Sequence, residues 1–170
     1  VQLLGIRGEA AERHPLHELR DTVRDLLIGI GLQETISYSL IGPAWLERLT
    51  ADGAPLGPDA IRVRNPTSAA QSVARPTLRA SLLDTAARNQ KHRDGFGIFE
   101  IAPVYLPRDG DLPDERWTVA FLLTGKAEQQ TWLTKPRDYD VYDARGIILA
   151  LHRGLSAAGV ASRGDRTTGA

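Results

Sequence analysis

The chain alternates between two hydrophobic periods, and the changes of period mark its elements. From His14-Pro15 the apolar residues Leu16, Leu19, Val23, Leu26, Leu27 and Ile30 fall at 0, +3, +7, +10, +11 and +14. That spacing is one continuous face of an α-helix. Pro suits the first turn, and Gly31 stands where a left-handed cap would close the last. Glu34 to Leu40 then alternates, with Ile36, Tyr38 and Leu40 on one side, which predicts a half-buried strand. Gly42-Pro43 opens a short helix through Leu49, carrying Trp45, Leu46 and Leu49. The Gly- and Pro-rich stretch from Asp52 to Pro58 is a loop, Ile61 to Arg64 a short strand stopped by Asn65-Pro66, and Ser72 to Pro76 extended.

A second helix is expected from Thr77, with Leu78, Leu82, Leu83, Ala86 and Ala87 inward and Arg79, Arg88 and Lys91 outward. After Asp94-Gly95 the period becomes two. Phe96 to Ile101 and Val104 to Leu106 form one strand run, bent or bulged near Pro103. Trp117 to Leu123 returns as its hairpin partner across a polar tip at Asp109-Gly110. Asp143 is placed to cap a third helix with Ile147, Ile148, Leu151 and Leu155 inward. Residues 1–13 read as an entry linker, 14–160 as one core domain, and 161–170 as a frayed tail. Helices and strands mix without a strand-helix-strand rhythm, so the expected class is α+β with a mainly antiparallel sheet.

Composition narrows the chemistry. With no Cys, thiolate zinc sites, disulfides and cysteine nucleophiles are excluded, and no apolar run reaches the ~20 residues of a membrane span. The absence of Met, even at the first position, is expected of a piece of a longer chain. Net charge is zero (21 basic, 21 acidic), yet residues 61–93 hold Arg62, Arg64, Arg75, Arg79, Arg88, Lys91 and Arg93 against Asp84 alone. Such a strip either faces phosphate or is a solvated helix face with some ion pairs. Phosphate-loop, dinucleotide, zinc-protease and nucleophile-elbow motifs are all missing. His14 and His17 share a helix face without a supporting carboxylate, and Asp138, Asp140 and Asp143 lack the Gly and Glu of a calcium loop. Glu100, between Phe99 and Ile101, is the one carboxylate tightly flanked by apolar residues. It needs a partner if buried, either an Arg such as Arg75 or a ligand.

Four segments in order carry a resemblance. They are Gly31-Leu32-Gln33-Glu34-Thr35-Ile36-Ser37-Tyr38-Ser39-Leu40, the Asn65-Pro66-Thr67-Ser68 turn, Ser72 to Leu83 with Asn89 beyond, and Phe99-Glu100-Ile101-Ala102-Pro103-Val104-Tyr105. Across roughly residues 14–155 the chain resembles the synthetase-like core of the β subunit of bacterial phenylalanyl-tRNA synthetase. Ala102 and Ala80-Ser81 depart from that family's Gly and Pro-Gly.

The resemblance implies a class II synthetase-like core, a six- or seven-stranded antiparallel sheet flanked by helices, paired with a catalytic α subunit in an (αβ)₂ assembly. It implies a cytoplasmic protein that serves ATP- and magnesium-dependent charging of tRNA(Phe). No catalytic, cofactor-binding or metal-binding residue is expected in this chain itself. Class II activation uses an Arg-x-Glu pair on a strand, where this sequence reads Ile98-Phe99-Glu100, and the glycine-rich third motif is missing. The chain is therefore expected to be a partial, non-catalytic core. Interface positions are Leu16, Leu19, Val23, Leu26, Leu27, Ile30 and Tyr38, although the chain's own sheet is an equal claimant for the helix stripe. Arg75 and Glu100 are expected as a structural pair, and Arg79, Arg88, Lys91 and Arg93 as candidate RNA contacts. Two other functions compete: an RNA-interaction module using the 62–93 strip, and a nucleotide-binding synthetase relative.

Overall fold

A computed structural model describes residues 14–50, 60–110, 112–128 and 131–159; the linker and tail expected at 1–13 and 161–170 lie outside them. The first helix, α1 (Pro15–Gly29), starts from His14, whose Nδ1 accepts the Leu16 N–H at 3.2 Å. It ends in a Schellman turn. Gly31 takes φ +100°, its N–H donates to Ile28, and the Leu32 N–H donates to Leu27. Leu27 and Leu32 then meet in the core, the hydrophobic contact that completes this motif.

The central sheet is built on β4 (Gly95–Leu106) and β5 (Asp114–Glu128), antiparallel and in unbroken register from Gly95 opposite Gly125 to Leu106 opposite Asp114. On its flanks lie β1 (Gln33–Glu34), parallel to β4, and β6 (Arg137–Asp138), antiparallel to β5. A separate two-stranded ribbon pairs β2 (Leu40–Ile41) with β3 (Val73–Ala74). The class is α+β. Four sheet strands and a two-stranded ribbon stand among the described residues, where six or seven antiparallel strands were expected, and one pairing is parallel.

The two faces of β4 are covered differently. Phe99 packs with Val23 and Leu27 of α1 and with Ile147 of α4 (Val141–Ala157). On the other face Phe96 and Ile98 meet Leu82 and Ala86 of α3 (Arg79–Asn89), while Ala102 and Val104 meet Leu78. Burying a Leu or Phe side chain contributes on the order of 2 kcal/mol, so this double cover fixes the middle of the sheet. The short helix α2 (Pro43–Thr50) packs Trp45, Leu46 and Leu49 on Ile41 and Val73.

Several local expectations are corrected. Residues 34–40 do not form one strand: β1 stops at Glu34, and Ile36 and Tyr38 point into solvent. Only the bridge between Arg62 and Val73 remains of a strand at 61–64. Pro103 causes no bulge. Its carbonyl accepts from Arg75 on the edge away from β5, so its missing N–H lies on that edge too and costs no ladder bond. Leu83, Ala87 and Ile148 are exposed, because α3 and α4 each bury a narrower stripe than their apolar content suggests.

Asp140, not Asp143, is the N-cap of α4. It accepts the Tyr142 and Asp143 N–H groups, while the Asp143 carboxylate accepts the Asp140 N–H, which makes a capping box. Arg137 grips Asp143 with two further bonds of 2.7 and 2.9 Å and holds its carboxyl down at about 2, helped by the Asp140 N–H. A depressed carboxyl stabilises the fold fully above its ordinary value of 3.8 and loses that contribution as pH falls through about 2. The first turn of α4 is therefore expected to loosen between about pH 4 and 2. A carboxyl carbon NMR titration should place Asp143 near the lower figure and shift it upward in Arg137→Ala.

Candidate functional site

Among the described residues the buried charged groups are Arg75 and Glu100, joined by Ser37. Glu100 sits mid-strand on β4 with 2% exposure, and Arg75, one residue past β3, has 1%. Arg75 Nη1 donates to Glu100 Oε1 at 2.8 Å and to Ser37 Oγ at 2.9 Å. The Ser37 hydroxyl lies 2.8 Å from both carboxylate oxygens, and the Ser37 N–H reaches Oε1 at 3.2 Å. Arg75 Nε donates to the Pro103 carbonyl at 3.0 Å, and the Arg75 backbone links Ser39 to Tyr105. Each charged group meets its opposite, and the hydroxyl accepts from one while donating to the other. A buried carboxylate held this way has its charge spent on the fold and is not free to position a substrate cation or general acid.

Beside this network Ile36, Tyr38 and Leu40 line one wall of an open cleft of about 500 Å³. Trp45, Gln71, Ser81 and Arg88 line other parts of it. Ile36 is 93% exposed and Tyr38 78%, a large apolar outlay for neighbouring positions of one segment. Exposed apolar groups of this size, clustered at a concave rim, mark contact surfaces.

The positions expected from sequence separate into distinct settings. Val23 and Leu27 are buried within the chain, Leu19 packs on the same cluster, and Leu26 fits against Gly154 of α4. The middle of the helix stripe is thus covered by the chain's own sheet and α4, and Val23 and Leu27 are not available to another chain. Leu16 is half-buried, whereas Ile30 and Tyr38 lie on the surface. Arg79, Arg88, Lys91 and Arg93 are all exposed, but they do not make one strip. Arg79 and Arg88 are nine residues apart on α3, about half a turn out of phase. Arg88 pairs with Asp84, Arg93 donates to Gln33, and Arg75 is buried. Among the described residues no group of three or more His, Asp or Glu is placed to hold a metal ion. No described helix is long and apolar enough to cross a membrane.

Sequence reasoning found Arg75 and Glu100 but missed Ser37 and Ile36. The run Thr35-Ile36-Ser37-Tyr38-Ser39 held the signal, since its polar members share one side, the side a buried ion pair would recruit.

A mixed sheet with its central hairpin between α3 and the α1–α4 pair is the fold of a class II aminoacyl-tRNA synthetase core. Two structures of pyrrolysyl-tRNA synthetase from Desulfitobacterium hafniense superpose with TM-scores of 0.59, at 19% and 18% identity. Each match covers 89% of this chain, and 48% and 50% of those chains. The chain belongs to the phenylalanyl-tRNA synthetase β chain CLM domain family, whose model matches residues 2–166. Relatives are the phenylalanine–tRNA ligase β subunits of Dehalococcoides mccartyi strain 195 (31% identical over 152 residues, 89% of this chain) and Geobacter sulfurreducens (34% over 151, 85%). That of Geobacter metallireducens is 35% identical over 141 residues, 81% of this chain. The chain spans 18% of the length of each of these relatives.

Proposed function

We propose that this domain is a non-catalytic core module of a phenylalanine–tRNA ligase β subunit. It supports the ATP-dependent charging of tRNA(Phe) in the cytoplasm by organising a catalytic α subunit in an (αβ)₂ assembly. One observation carries the non-catalytic part. The strand that resembles the class II activation strand has buried Ile98 packed beneath α3 where an Arg would meet the α-phosphate, and its Glu100 is already neutralised by Arg75. The side chains present there do not fit an adenylate, so ATP and magnesium belong to the partner in this reading.

The contact face is the rim formed by Ile36, Tyr38 and Leu40, since most of the helix stripe serves the chain's own core. In the full-length β subunit, Ile36→Ser with Tyr38→Ser is expected to weaken association with the α subunit at least tenfold, the loss of about 1.4 kcal/mol of contact. The melting temperature should barely change, because both side chains are outside the core. Sedimentation of the purified subunits measures the first, and differential scanning calorimetry the second. Unaltered association would refute this face as the contact.

A further inference from the structure

We propose that the buried Ser37–Arg75–Glu100 network is a positioning clamp, which holds residues 35–39 so that Ile36 and Tyr38 are presented outward as a preformed contact for the partner subunit. The identity of that partner rests on the reading above; the clamp itself rests on geometry.

After β1 the chain leaves the ladder but not the sheet. Thr35 N–H donates to the Phe99 carbonyl at 2.8 Å, Ser37 N–H to the Glu100 carboxylate at 3.2 Å, and the Ser39 carbonyl accepts from Arg75 N–H at 3.0 Å. Every second residue is therefore tied inward. Between the ties stand Ile36 and Tyr38, the two most exposed members of the rim. A loose loop would be free to turn these apolar groups inward, and the three ties hold the segment with them outward. The β4 ladder ends its contact with this segment at Phe99, and the side chain of Glu100 takes over as acceptor.

The charges fit this role better than a stabilising one. Two buried ions recover little net free energy over apolar residues of the same volume, yet they specify one arrangement of the groups around them. Arg75 is itself fixed on both sides of its peptide, to Ser39 and to Tyr105, and its Nε is spent on Pro103. The guanidinium therefore reaches Ser37 from a rigid base on β4. A contact segment held in its bound shape before association avoids the ordering cost that a flexible one would carry.

Ser37→Ala is the discriminating variant, because it leaves the Arg75–Glu100 pair in place and removes the hydroxyl that bonds both charged groups, so that the segment keeps only its backbone ties. In the full-length β subunit, amide exchange at positions 35 and 37, the two N–H groups of the segment that are tied inward, should accelerate about tenfold or more, with the melting temperature little changed. The Kd for the α subunit should rise about tenfold, and Ser37→Thr, which keeps the hydroxyl, should restore both. Wild-type exchange in Ser37→Ala overturns the clamp. So does accelerated exchange with an unaltered Kd when Ile36→Ser weakens binding in the same assay. An unaltered Kd in Ile36→Ser instead overturns the contact reading and leaves the clamp without a partner.

Discussion

Replacing Glu100 with Gln is expected to destabilise the domain by about 3–5 kcal/mol, read from equilibrium urea unfolding. The size follows from what remains. Arg75, 1% exposed, keeps its charge and loses the carboxylate it is paired with, and water cannot reach in to replace it. Thermal melting should fall by roughly 10 °C. Replacing both partners, Arg75→Met with Glu100→Leu, should recover most of the loss, because the cost arises from an orphaned charge and not from a missing attraction. A single variant as stable as wild type would mean that the pair is solvated. A double variant worse than either single one would mean that the charges themselves hold the sheet together.

The second large effect is expected at Gly125. Its φ is +70°, and a β-carbon there would lie 2.0 Å from the Asp94 carbonyl oxygen. That oxygen accepts the Lys126 N–H at 2.9 Å, and the Gly125 carbonyl accepts the Tyr139 N–H, so neither backbone can step aside cheaply. Gly95 is paired opposite, with an equally close approach to the Lys126 backbone. Gly125→Ala should therefore cost about 3 kcal/mol or more, from left-handed strain and overpacking together. Gly146→Ala, inside α4 with nothing within 4 Å of the added carbon, should instead stabilise by about 1 kcal/mol. Denaturation midpoints of the two variants, moving in opposite directions, test the geometry at both sites.

The elements legible in the sequence are those whose period and ends agree. α1 could be read because Val23 and Leu27 repeat on the helical period and Pro15 and Gly31 close its ends. The β4–β5 hairpin could be read because two apolar strand runs, Phe96 to Ile101 and Trp117 to Leu123, flank the polar tip at Asp109-Gly110. The segment after β1 departs from the expected strand for a physical reason. Its alternation is real but inverted: Thr35, Ser37 and Ser39 are tied inward and the apolar members face out, since the inner neighbour is an ion pair. Periodicity gives the sides of a strand, and only the tertiary partner decides which side is in. The Arg75–Glu100 pair was legible because a carboxylate between Phe99 and Ile101 demands a cation. Ser37, the third member, carries no such demand in the sequence.

The packing of α1 on α4 has a consequence for synthesis. Leu27, fully buried, finishes its environment only when Ile147 and Leu151 arrive, more than a hundred residues later. On the ribosome the apolar stripe of the first helix therefore emerges early and waits bare through translation of the whole hairpin. Closing so long a loop is slow, and an uncovered stripe is prone to stray association meanwhile. Nascent chains halted before α4 should accordingly be clients of hydrophobic-binding chaperones, and release should coincide with the appearance of the last helix.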